Sequence, residues 1–285
     1  MSAPMPHRAD ADLYAEYRPH YPSALFDGLR GALASRPLQV CDLGAGTGLA
    51  SASWVNAQKT WGNSLANIQL TLVDPDSLLL QKSKTQAAFQ EVASLRLVQS
   101  PAENTPLDAR SQDLILIGSA VHWMNGEKTA QECVRLLRPR GKLLVFEYQF
   151  PKARHPESAS LNEWVRRQFN EKWRAPEQRP RGKFSELLEP FAAHPGLSRD
   201  HREKTLPCPM ILKLSATDFS GLLFSQSRTQ HFEEALGSRD EVLKHRKEVT
   251  EKVQALWPTP QTSGLKPEAL EFDFKLQFAS FTATE

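Results

Sequence analysis

Three glycines at every second position, Gly44, Gly46 and Gly48, follow a short apolar segment of this sequence. Glycine adopts positive φ angles without strain, and it leaves no Cβ between the backbone and a neighbouring group. Asp42, two residues before the first glycine, adds a carboxylate, which would repel a pyrophosphate but can hold a cationic amino group. The spacing therefore predicts a binding turn between a strand and a helix that opens at Leu49. A strand-to-helix turn without a ligand is the structural alternative.

A dinucleotide-binding turn has the form Gly-x-Gly-x-x-Gly, and Leu49 stands where its third glycine belongs. The segment from Val40 to Gly48 instead resembles the first motif of the class I S-adenosylmethionine methyltransferases. The resemblance implies that the cofactor is S-adenosylmethionine. It also implies that the cofactor is bound by Asp42, Gly44, Ala45, Gly46, Thr47 and Gly48.

A second acidic residue follows the segment Ile68–Val73, which is predicted to be the second strand. One carboxylate at the end of that strand can accept hydrogen bonds from both hydroxyls of a ribose. Asp74 and the adjoining Pro75 are therefore predicted to contact the cofactor, and Asp76 is predicted to cap the next helix. The alternative is that both aspartates only cap that helix.

Two further segments extend the resemblance. Ala102 and Glu103 follow the predicted third strand, Leu95–Val98, and match an Ala-Glu pair that lies beside the adenine in this family. Near the N-terminus, Tyr17 and Arg18 belong to a Tyr-Arg-Pro-x-Tyr-Pro segment with which many of these methyltransferases begin. The resemblance implies that this segment covers the cofactor, and packing against the domain is an equally good interpretation.

A His-Trp pair follows the predicted fourth strand, Gln112–Gly118, where ligands bind in open α/β sheets. The pair His122 and Trp123 at this place resembles a subset of the type 11 methyltransferases, including trans-aconitate methyltransferases and other carboxyl methyltransferases. The resemblance implies that Ser119 lies at the cofactor and that His122 and Trp123 are the catalytic residues. Elsewhere in a chain, such a pair would usually be a core contact.

The order of the elements predicts a doubly wound α/β fold, since five strands alternate with helices up to residue 150. The resemblance implies a mostly parallel, seven-stranded, Rossmann-like sheet. Its sixth strand is predicted at Cys208–Leu214, and its last strand, Leu270–Phe281, is predicted to be antiparallel and to lie between the fifth and the sixth. Residues 1–150 are thus predicted to form the cofactor-binding core, and residues 266–285 to complete its sheet.

Residues 151–265 are predicted to form a helical lid insertion that shapes the substrate pocket. Between residues 151 and 183, nine lysines and arginines stand against four glutamates and no aspartate. The simpler interpretation of these charges is a helix face exposed to solvent. The more specific interpretation is that the lid selects an anionic substrate.

Length and composition exclude several classes of protein. A chain of 285 residues with a net charge of +2 can bury an ample core and is not a dedicated nucleic-acid binder. Three scattered cysteines have neither a metal-binding nor a disulfide spacing, so no metal is expected. The sequence contains no signal-peptide core and no apolar run of membrane-spanning length. These features predict a cytosolic protein.

The acceptor is predicted to be a small, anionic molecule that is methylated on a carboxylate oxygen. A carboxylate is already ionised at neutral pH and needs no general base. A hydroxyl acceptor would need one, and His122 would be the candidate.

Two rival functions stay open. One is an inactive protein that binds S-adenosylmethionine and acts as an interaction module, and the other is methylation of RNA or protein. The second ranks lower, because the Asn/Asp-Pro-Pro-Tyr/Phe tetrad of amino-methylating nucleic-acid enzymes does not follow the fourth strand. A dehydrogenase is disfavoured by Asp42 and Leu49. The sequence does not decide the oligomeric state.

Overall fold

The computed structural model describes residues 10–30, 37–173, 183–200, 208–259 and 267–284. The strands within these ranges are β1 (Leu38–Leu43), β2 (Ile68–Asp74), β3 (Ser94–Gln99), β4 (Gln112–Gly118), β5 (Leu137–Tyr148), β6 (Lys152–Ala153), β7 (Leu197–Arg199), β8 (Ile211–Ser215), β9 (Ala269–Asp273) and β10 (Leu276–Ala283).

The α-helices in the same ranges are α1 (Ala11–Tyr17), α2 (Leu49–Thr60), α3 (Ser77–Ser83), α4 (Gly126–Leu136), α5 (Ala159–Arg167), α6 (Phe184–Ala192), α7 (Ala216–Phe224), α8 (Ser227–Ala235) and α9 (Arg239–Leu256). Leu25, Leu29 and Leu33 recur at every fourth position, which predicts a helix over residues 22–33, and a 3₁₀ helix, Ser23–Leu29, lies there. The end of that prediction, residues 31–33, lies outside the described residues.

A seven-stranded sheet has the strand order β3-β2-β1-β4-β5-β10-β7. Neighbouring strands from β3 to β5 are parallel, and β10 is antiparallel to both β5 and β7. The predicted doubly wound fold with an antiparallel last strand is therefore confirmed. This sheet belongs to a compact unit of residues 19–148, 181–208 and 276–285, hereafter the sheet unit.

The central strand β4 shows why the sequence forms this sheet. Leu114, Ile115, Leu116 and Ile117 are all fully buried, which requires cover on both faces of the strand. Burial of each such side chain contributes about 1.5–3 kcal/mol, so a continuous apolar run is stable only at the centre of a layered α/β structure. The strand therefore delivers its carboxyl end, at Gly118, to a fixed place on the sheet edge.

The prediction of a sixth core strand at Cys208–Leu214 is wrong. The structure places β8 in a separate three-stranded sheet of order β6-β9-β8, and the short strand β7 is the outer strand of the core sheet.

The predicted single strand Leu270–Phe281 is two strands, β9 and β10. Burial falls on even-numbered positions up to Phe274 and on odd-numbered positions from Ala279 onward. A regular strand keeps the same inward face along its length, so this change of face accompanies the break between β9 and β10.

The three-stranded sheet belongs to a second compact unit, residues 1–18, 149–180 and 209–275, hereafter the insertion unit. It has a core of its own, in which Phe219 stacks on Phe272 at 4.4 Å between ring centroids. These bounds differ from the predicted division at residues 150 and 265, because residues 10–18 join the insertion unit and residues 183–200 join the sheet unit. The predicted role of residues 151–265 as a lid stays a prediction.

Part of the positive charge between residues 151 and 183 is paired locally. Arg166 and Arg167 both bind Glu163 on α5, at 2.7 and 2.9 Å. Residues 174–182 of that segment lie outside the described residues. The pairing of the described arginines is the expected behaviour of a solvated helix face.

Within the described ranges, none of the helices is both long and apolar enough to cross a membrane. In that part of the chain, no three His, Cys, Asp or Glu side chains are grouped so as to hold a metal ion. Cys41, Cys133 and Cys208 are free cysteines.

Candidate functional site

The glycine turn adopts the backbone conformation that its sequence predicts. Gly44, Gly46 and Gly48 have φ angles of 72°, 54° and 78°. The backbone N–H groups of Gly44 and Ala45 both donate to the carbonyl of Val73 at the end of β2, at 2.8 and 3.0 Å. The turn is therefore fixed between the carboxyl ends of β1 and β2.

The three glycines differ in their surroundings. A Cβ on Gly44 would lie 2.6 Å from the Cβ of Ala120, and one on Gly48 would lie 2.9 Å from the ring of Phe89. A Cβ on Gly46 would have the terminal methyl of Leu79, 4.0 Å away, as its nearest neighbour. Gly44 and Gly48 are thus required by the protein's own packing, whereas the space beside Gly46 is open to a ligand.

Asp42 at the end of β1 is fully buried and only half satisfied. Its Oδ2 accepts hydrogen bonds from the N–H and the hydroxyl of Ser51, at 3.2 and 2.5 Å. Its Oδ1 is buried and has no hydrogen-bond partner among the described residues. Burial raises the pKa of this carboxyl to about 7. A buried carboxylate oxygen without a donor indicates that a cationic group completes the site.

Asp74 at the end of β2 faces the same turn. Its Oδ2 accepts a hydrogen bond from the N–H of Gly46 at 2.8 Å, and its Oδ1 accepts one from the N–H of Asp76 at 2.9 Å. Burial raises the pKa of Asp74 to about 6. Each carboxylate oxygen keeps acceptor capacity for a further donor. Asp76 accepts from the N–H groups of Leu78 and Leu79, so its predicted capping role is confirmed.

The predicted adenine-binding segment lies beside these strands. Gln99 at the end of β3 donates from its side chain to the carbonyl of Pro75 at 3.2 Å, and Ala102 is buried. Glu103 accepts a hydrogen bond from the N–H of Asn125 at 2.7 Å, and Asn125 is the N-cap of α4. The Glu103 side chain therefore ties this segment to the loop before α4.

A pair on α4 that the sequence analysis missed holds the same segment in place. Glu132 accepts from both the N–H and the hydroxyl of Thr105, at 2.8 and 2.7 Å, and from Arg135. Arg135 also donates to the carbonyls of Thr105 and Leu107. Burial alone would raise the pKa of Glu132, but hydrogen bonds from Arg135 and Thr105 outweigh it and hold the pKa below its ordinary value. The sequence could have indicated this pair, because Glu132 and Arg135 are three residues apart on one predicted helix.

We expect Glu132→Gln to weaken S-adenosylhomocysteine binding several-fold and to lower the free energy of unfolding by about 2 kcal/mol. The reason is that the neutral amide cannot accept all four hydrogen bonds that the carboxylate accepts from Thr105 and Arg135, so residues 100–107 lose their support. Calorimetry and urea unfolding measure the two effects. Glu127→Gln, on an exposed position of the same helix, is the control. An unchanged affinity in Glu132→Gln would contradict a positioning role.

Two predicted cofactor residues belong to the insertion unit. Arg18 donates to the carbonyl of Ser225 at 2.9 Å and lies over the ring of Tyr14. The ring of Tyr17 stands directly against Gly221 of α7, leaving no room for a Cβ there. These contacts agree with the interpretation that the segment packs against other parts of the protein. Contact of Tyr17 and Arg18 with the cofactor stays a prediction.

The residues predicted to lie at the cofactor and at the methyl acceptor follow the carboxyl end of β4. Ser119 has a φ of 52°, an uncommon value for a residue with a side chain, and its N–H donates to the carbonyl of Phe146 at 2.7 Å. Its hydroxyl is 2.8 Å from the hydroxyl of Tyr21. Such strain is typical of functional sites, where the surrounding structure holds it in place. Tyr21, from the Tyr/Pro-rich N-terminal segment, is a further candidate site residue.

His122 and Trp123 lie next to this turn, but in different environments. Trp123 is half exposed, and its ring centroid is 5.2 Å from that of His122. The side chain of His122 is 15% exposed, and its Nδ1 is 3.6 Å from Oε2 of Glu147, near the end of β5. The structure thus brings His122 to a buried carboxylate and leaves Trp123 accessible to a ligand.

Glu147 is a further residue that the sequence analysis missed. Its side chain is 5% exposed at the carboxyl end of an otherwise apolar segment, Leu143–Phe146. The sequence could have indicated Glu147 as a site residue, because it is an acidic residue at the end of a buried parallel strand. Asp42 and Asp74 were predicted from the same feature. Its partner lies on another strand, so the sequence alone did not connect it with His122.

Residues 41–145 match the family model described as a methyltransferase domain. Uncharacterised methyltransferases of Mycobacterium bovis and Mycobacterium tuberculosis are 35% identical to the chain over 130 residues. The alignment covers 46% of this chain and 46% of each relative, so the chain spans about half the length of the curated relatives it matches.

Solved structures show the same fold. A protein of Anaeromyxobacter dehalogenans, named as a candidate type II methyltransferase, is 20% identical with a TM-score of 0.59, and the match covers 93% of this chain and 97% of that one. The YcgJ protein of Bacillus subtilis is 17% identical with a TM-score of 0.52, over 92% of this chain and 98% of that one. At these identities, the similarity concerns the fold alone.

Proposed function

We propose that this chain, whose residues 41–145 match the family model of a methyltransferase domain, is an S-adenosylmethionine-dependent methyltransferase. The observation that carries the proposal is the unpartnered, buried Oδ1 of Asp42 beside the glycine turn. The amino group of the cofactor's methionine part is a cation of the kind that this oxygen lacks. Calorimetry with S-adenosylhomocysteine and with NAD tests the proposal, and binding of NAD alone would overturn it.

The residues of the turn fit this cofactor. Asp42 would hold the amino group, Asp74 would accept from the ribose hydroxyls, and the open side of Gly46 would admit the ligand to the backbone. The segment of Ala102 and Glu103 would adjoin the adenine, and Ser119 would border the site at the end of β4. These assignments rest on the resemblance and on the arrangement of three neighbouring strand ends.

When bound, the cofactor supplies a methyl group on a positively charged sulfur. The chain's own contribution is to bind two partners in line, to exclude water and to supply fixed charges. Asp42 and Asp74 are suited to this role because their burial makes interactions with a ligand stronger than in water. Methyl transfer of this kind requires no metal.

We further propose that the acceptor is a small carboxylic acid that is methylated on oxygen. The support is the resemblance of the His122–Trp123 pair to carboxyl methyltransferases, together with the accessible ring of Trp123. A panel of di- and tricarboxylates, including trans-aconitate and citrate, tests this assignment. Turnover of hydroxylated aromatics without turnover of any carboxylate would show it to be wrong.

A catalytically inactive, cofactor-binding protein is the remaining alternative. Tight binding of S-adenosylhomocysteine without methyl transfer to any member of a broad acceptor library would favour it. RNA or protein acceptors belong in the same library, because the sequence leaves their methylation open as the second rival function and residues 151–183 carry nine lysines and arginines.

Cofactor affinity is expected to depend on pH through Asp42 and Asp74. Burial raises their pKa values to about 7 and about 6 in the free protein, and a cationic ligand favours the ionised form of Asp42. Binding should therefore release a proton, and the affinity for S-adenosylhomocysteine should rise between pH 5.5 and pH 7.5. Calorimetry in two buffers of different ionisation enthalpy measures the released protons. Affinity that is flat over this range would contradict the role of Asp42.

The same pKa values determine whether these two carboxyls stabilise the native protein at low or at high pH. Because the native carboxyls bind protons that the unfolded chain has released, these two groups favour the native state at low pH. Their contribution decreases as the pH rises from about 4 through 7.

A further inference from the structure

Glu147 and His122 form a polar pair at the carboxyl edge of the core sheet. Nδ1 of His122 is 3.6 Å from Oε2 of Glu147, and the two side chains are 15% and 5% exposed. His122 reaches this position from the short 3₁₀ helix Val121–Trp123, which follows β4, and Glu147 reaches it from the neighbouring strand β5. Adjacent parallel strands that end at the same edge thus bring the two groups together.

The burial of this pair favours a charge on one side chain only together with an opposite charge on the other. An ionised carboxylate in such a place is costly unless a positive charge accompanies it. The imidazolium form of His122 supplies that charge, whereas neutral imidazole does not. Further titratable side chains near the carboxyl ends of β1 and β5 include Cys41, Asp42, Tyr148 and Tyr21, whose ring centroid is 5.7 Å from that of Tyr148. His20, next to Tyr21 in the chain, is another.

We propose that Glu147 keeps His122 in the imidazolium form and that this imidazolium binds the carboxylate of the methyl acceptor. The proposal rests on the proposed function and identifies Glu147 as a positioning residue. An imidazolium whose Nδ1 faces Glu147 carries its second N–H at Nε2, which can donate to an acceptor oxygen. A charge-assisted hydrogen bond of this kind selects an anion.

The chemistry of transfer to a carboxylate agrees with a protonated histidine. One C–S bond breaks and one C–O bond forms, and the positive charge on sulfur and the negative charge on the carboxylate disappear together. No proton leaves the acceptor, so no general base is consumed. A hydroxyl acceptor would instead lose a proton, and His122 would then have to be neutral before the reaction.

Nuclear magnetic resonance of ¹⁵N-histidine-labelled protein, saturated with S-adenosylhomocysteine, tests the protonation state directly. The His122→Gln variant identifies the His122 signals. In the wild-type protein, we expect His122 to be protonated at pH 7. In Glu147→Gln, we expect its titration midpoint to move to lower pH by about one unit. Glu147→Asp keeps the charge and should restore most of the protonation, and Glu91→Gln, a surface ion-pair partner in the same unit, should leave it unchanged.

Kinetics with trans-aconitate, or with whichever carboxylate of the panel is turned over, provides a second readout. Glu147→Gln should raise the KM for the carboxylate at least tenfold and change kcat less, because binding of the anion is what depends on the charge. Wild-type kcat/KM should fall as the pH rises above the His122 midpoint. A profile that rises through that midpoint would identify His122 as a general base and overturn the proposal.

The outcomes separate this proposal from the proposed function. If S-adenosylhomocysteine does not bind, the proposed function fails. If it binds and wild-type His122 is neutral at pH 7, the imidazolium proposal fails while the proposed function stands. Should Glu147→Gln not fold, the titration of the wild-type protein and of Glu147→Asp still decides.

Discussion

Asp42→Asn is expected to weaken S-adenosylhomocysteine binding by at least about 100-fold, since removing one partner of a buried charge pair costs about 3–5 kcal/mol. The substitution keeps the shape of the side chain, and an amide oxygen can still accept from Ser51. The amide NH₂ would then stand where Oδ1 is now buried without a partner, and it would face the cationic amino group with a donor.

The same substitution should leave the free protein as stable as before, or more stable, at pH 8. Burial raises the pKa of Asp42 to about 7, so at pH 8 the wild-type protein holds an ionised, half-satisfied carboxylate that asparagine removes. Thermal unfolding without ligand measures this. Loss of binding combined with a large loss of stability would mean that Asp42 has a structural role.

Asp113→Asn is the matched control for Asp42→Asn. Asp113 is also a buried aspartate on a core strand, but it lies at the beginning of β4, where it binds Arg138 and the N–H of Gln39. Removing its charge should lower stability and leave the affinity for S-adenosylhomocysteine unchanged. Equal losses of affinity in the two variants would contradict a specific role for Asp42.

Gly44→Ala is expected to lower the free energy of unfolding by about 2–5 kcal/mol. A residue with a side chain at φ 72° costs about 1–2 kcal/mol, and the new Cβ would lie 2.6 Å from that of Ala120 and 2.8 Å from the terminal methyl of Met124. Because Ala120 belongs to the turn after β4, the clash would push apart the two strand ends that form the site. Urea unfolding of the free protein measures the effect.

Gly46→Ala separates binding from stability. Its φ of 54° gives the same conformational cost, but no atom of the described residues is closer than 4.0 Å to the new Cβ, so the loss should stay at about 1–2 kcal/mol. The methyl group would fill the space open to the ligand and weaken S-adenosylhomocysteine binding by about tenfold or more. Gly62→Ala, with a φ of 77° and nothing within 4 Å, isolates the conformational cost alone. Unchanged binding by Gly46→Ala would mean that the ligand does not approach this glycine.

Local features of the site could be predicted from the sequence because each depends on a few consecutive residues. The positive φ angles of the glycine turn follow from the conformational freedom of glycine. The cap formed by Asp76 follows from its side-chain hydrogen bonds, and the position of Asp42 at a strand end follows from the apolar residues before it. The core strands up to β5 have continuous or alternating apolar runs with strong periodicity. The predicted bounds of β2 and β4 agree with the structure to within one residue.

The C-terminal region shows where such patterns are insufficient. Alternation predicts a strand over 270–281, but it does not reveal that the inward face changes between Phe274 and Ala279. Short strands such as β7 carry too few residues for a periodic signal. Whether β8 pairs with the core sheet or with β9 depends on long-range partners, which is why the sixth strand was assigned to the wrong segment.

The chain's residue types and their local spacing were enough to predict the doubly wound core, its glycine turn and the two acids at the ends of β1 and β2. Tertiary structure decided which distant groups meet there: Glu147 with His122, Tyr21 with Ser119, and Glu132 with Thr105. The physical reason is the range of the interactions. A turn or a cap is formed by neighbouring residues, whereas a buried pair forms between segments that only the order and register of the strands bring together.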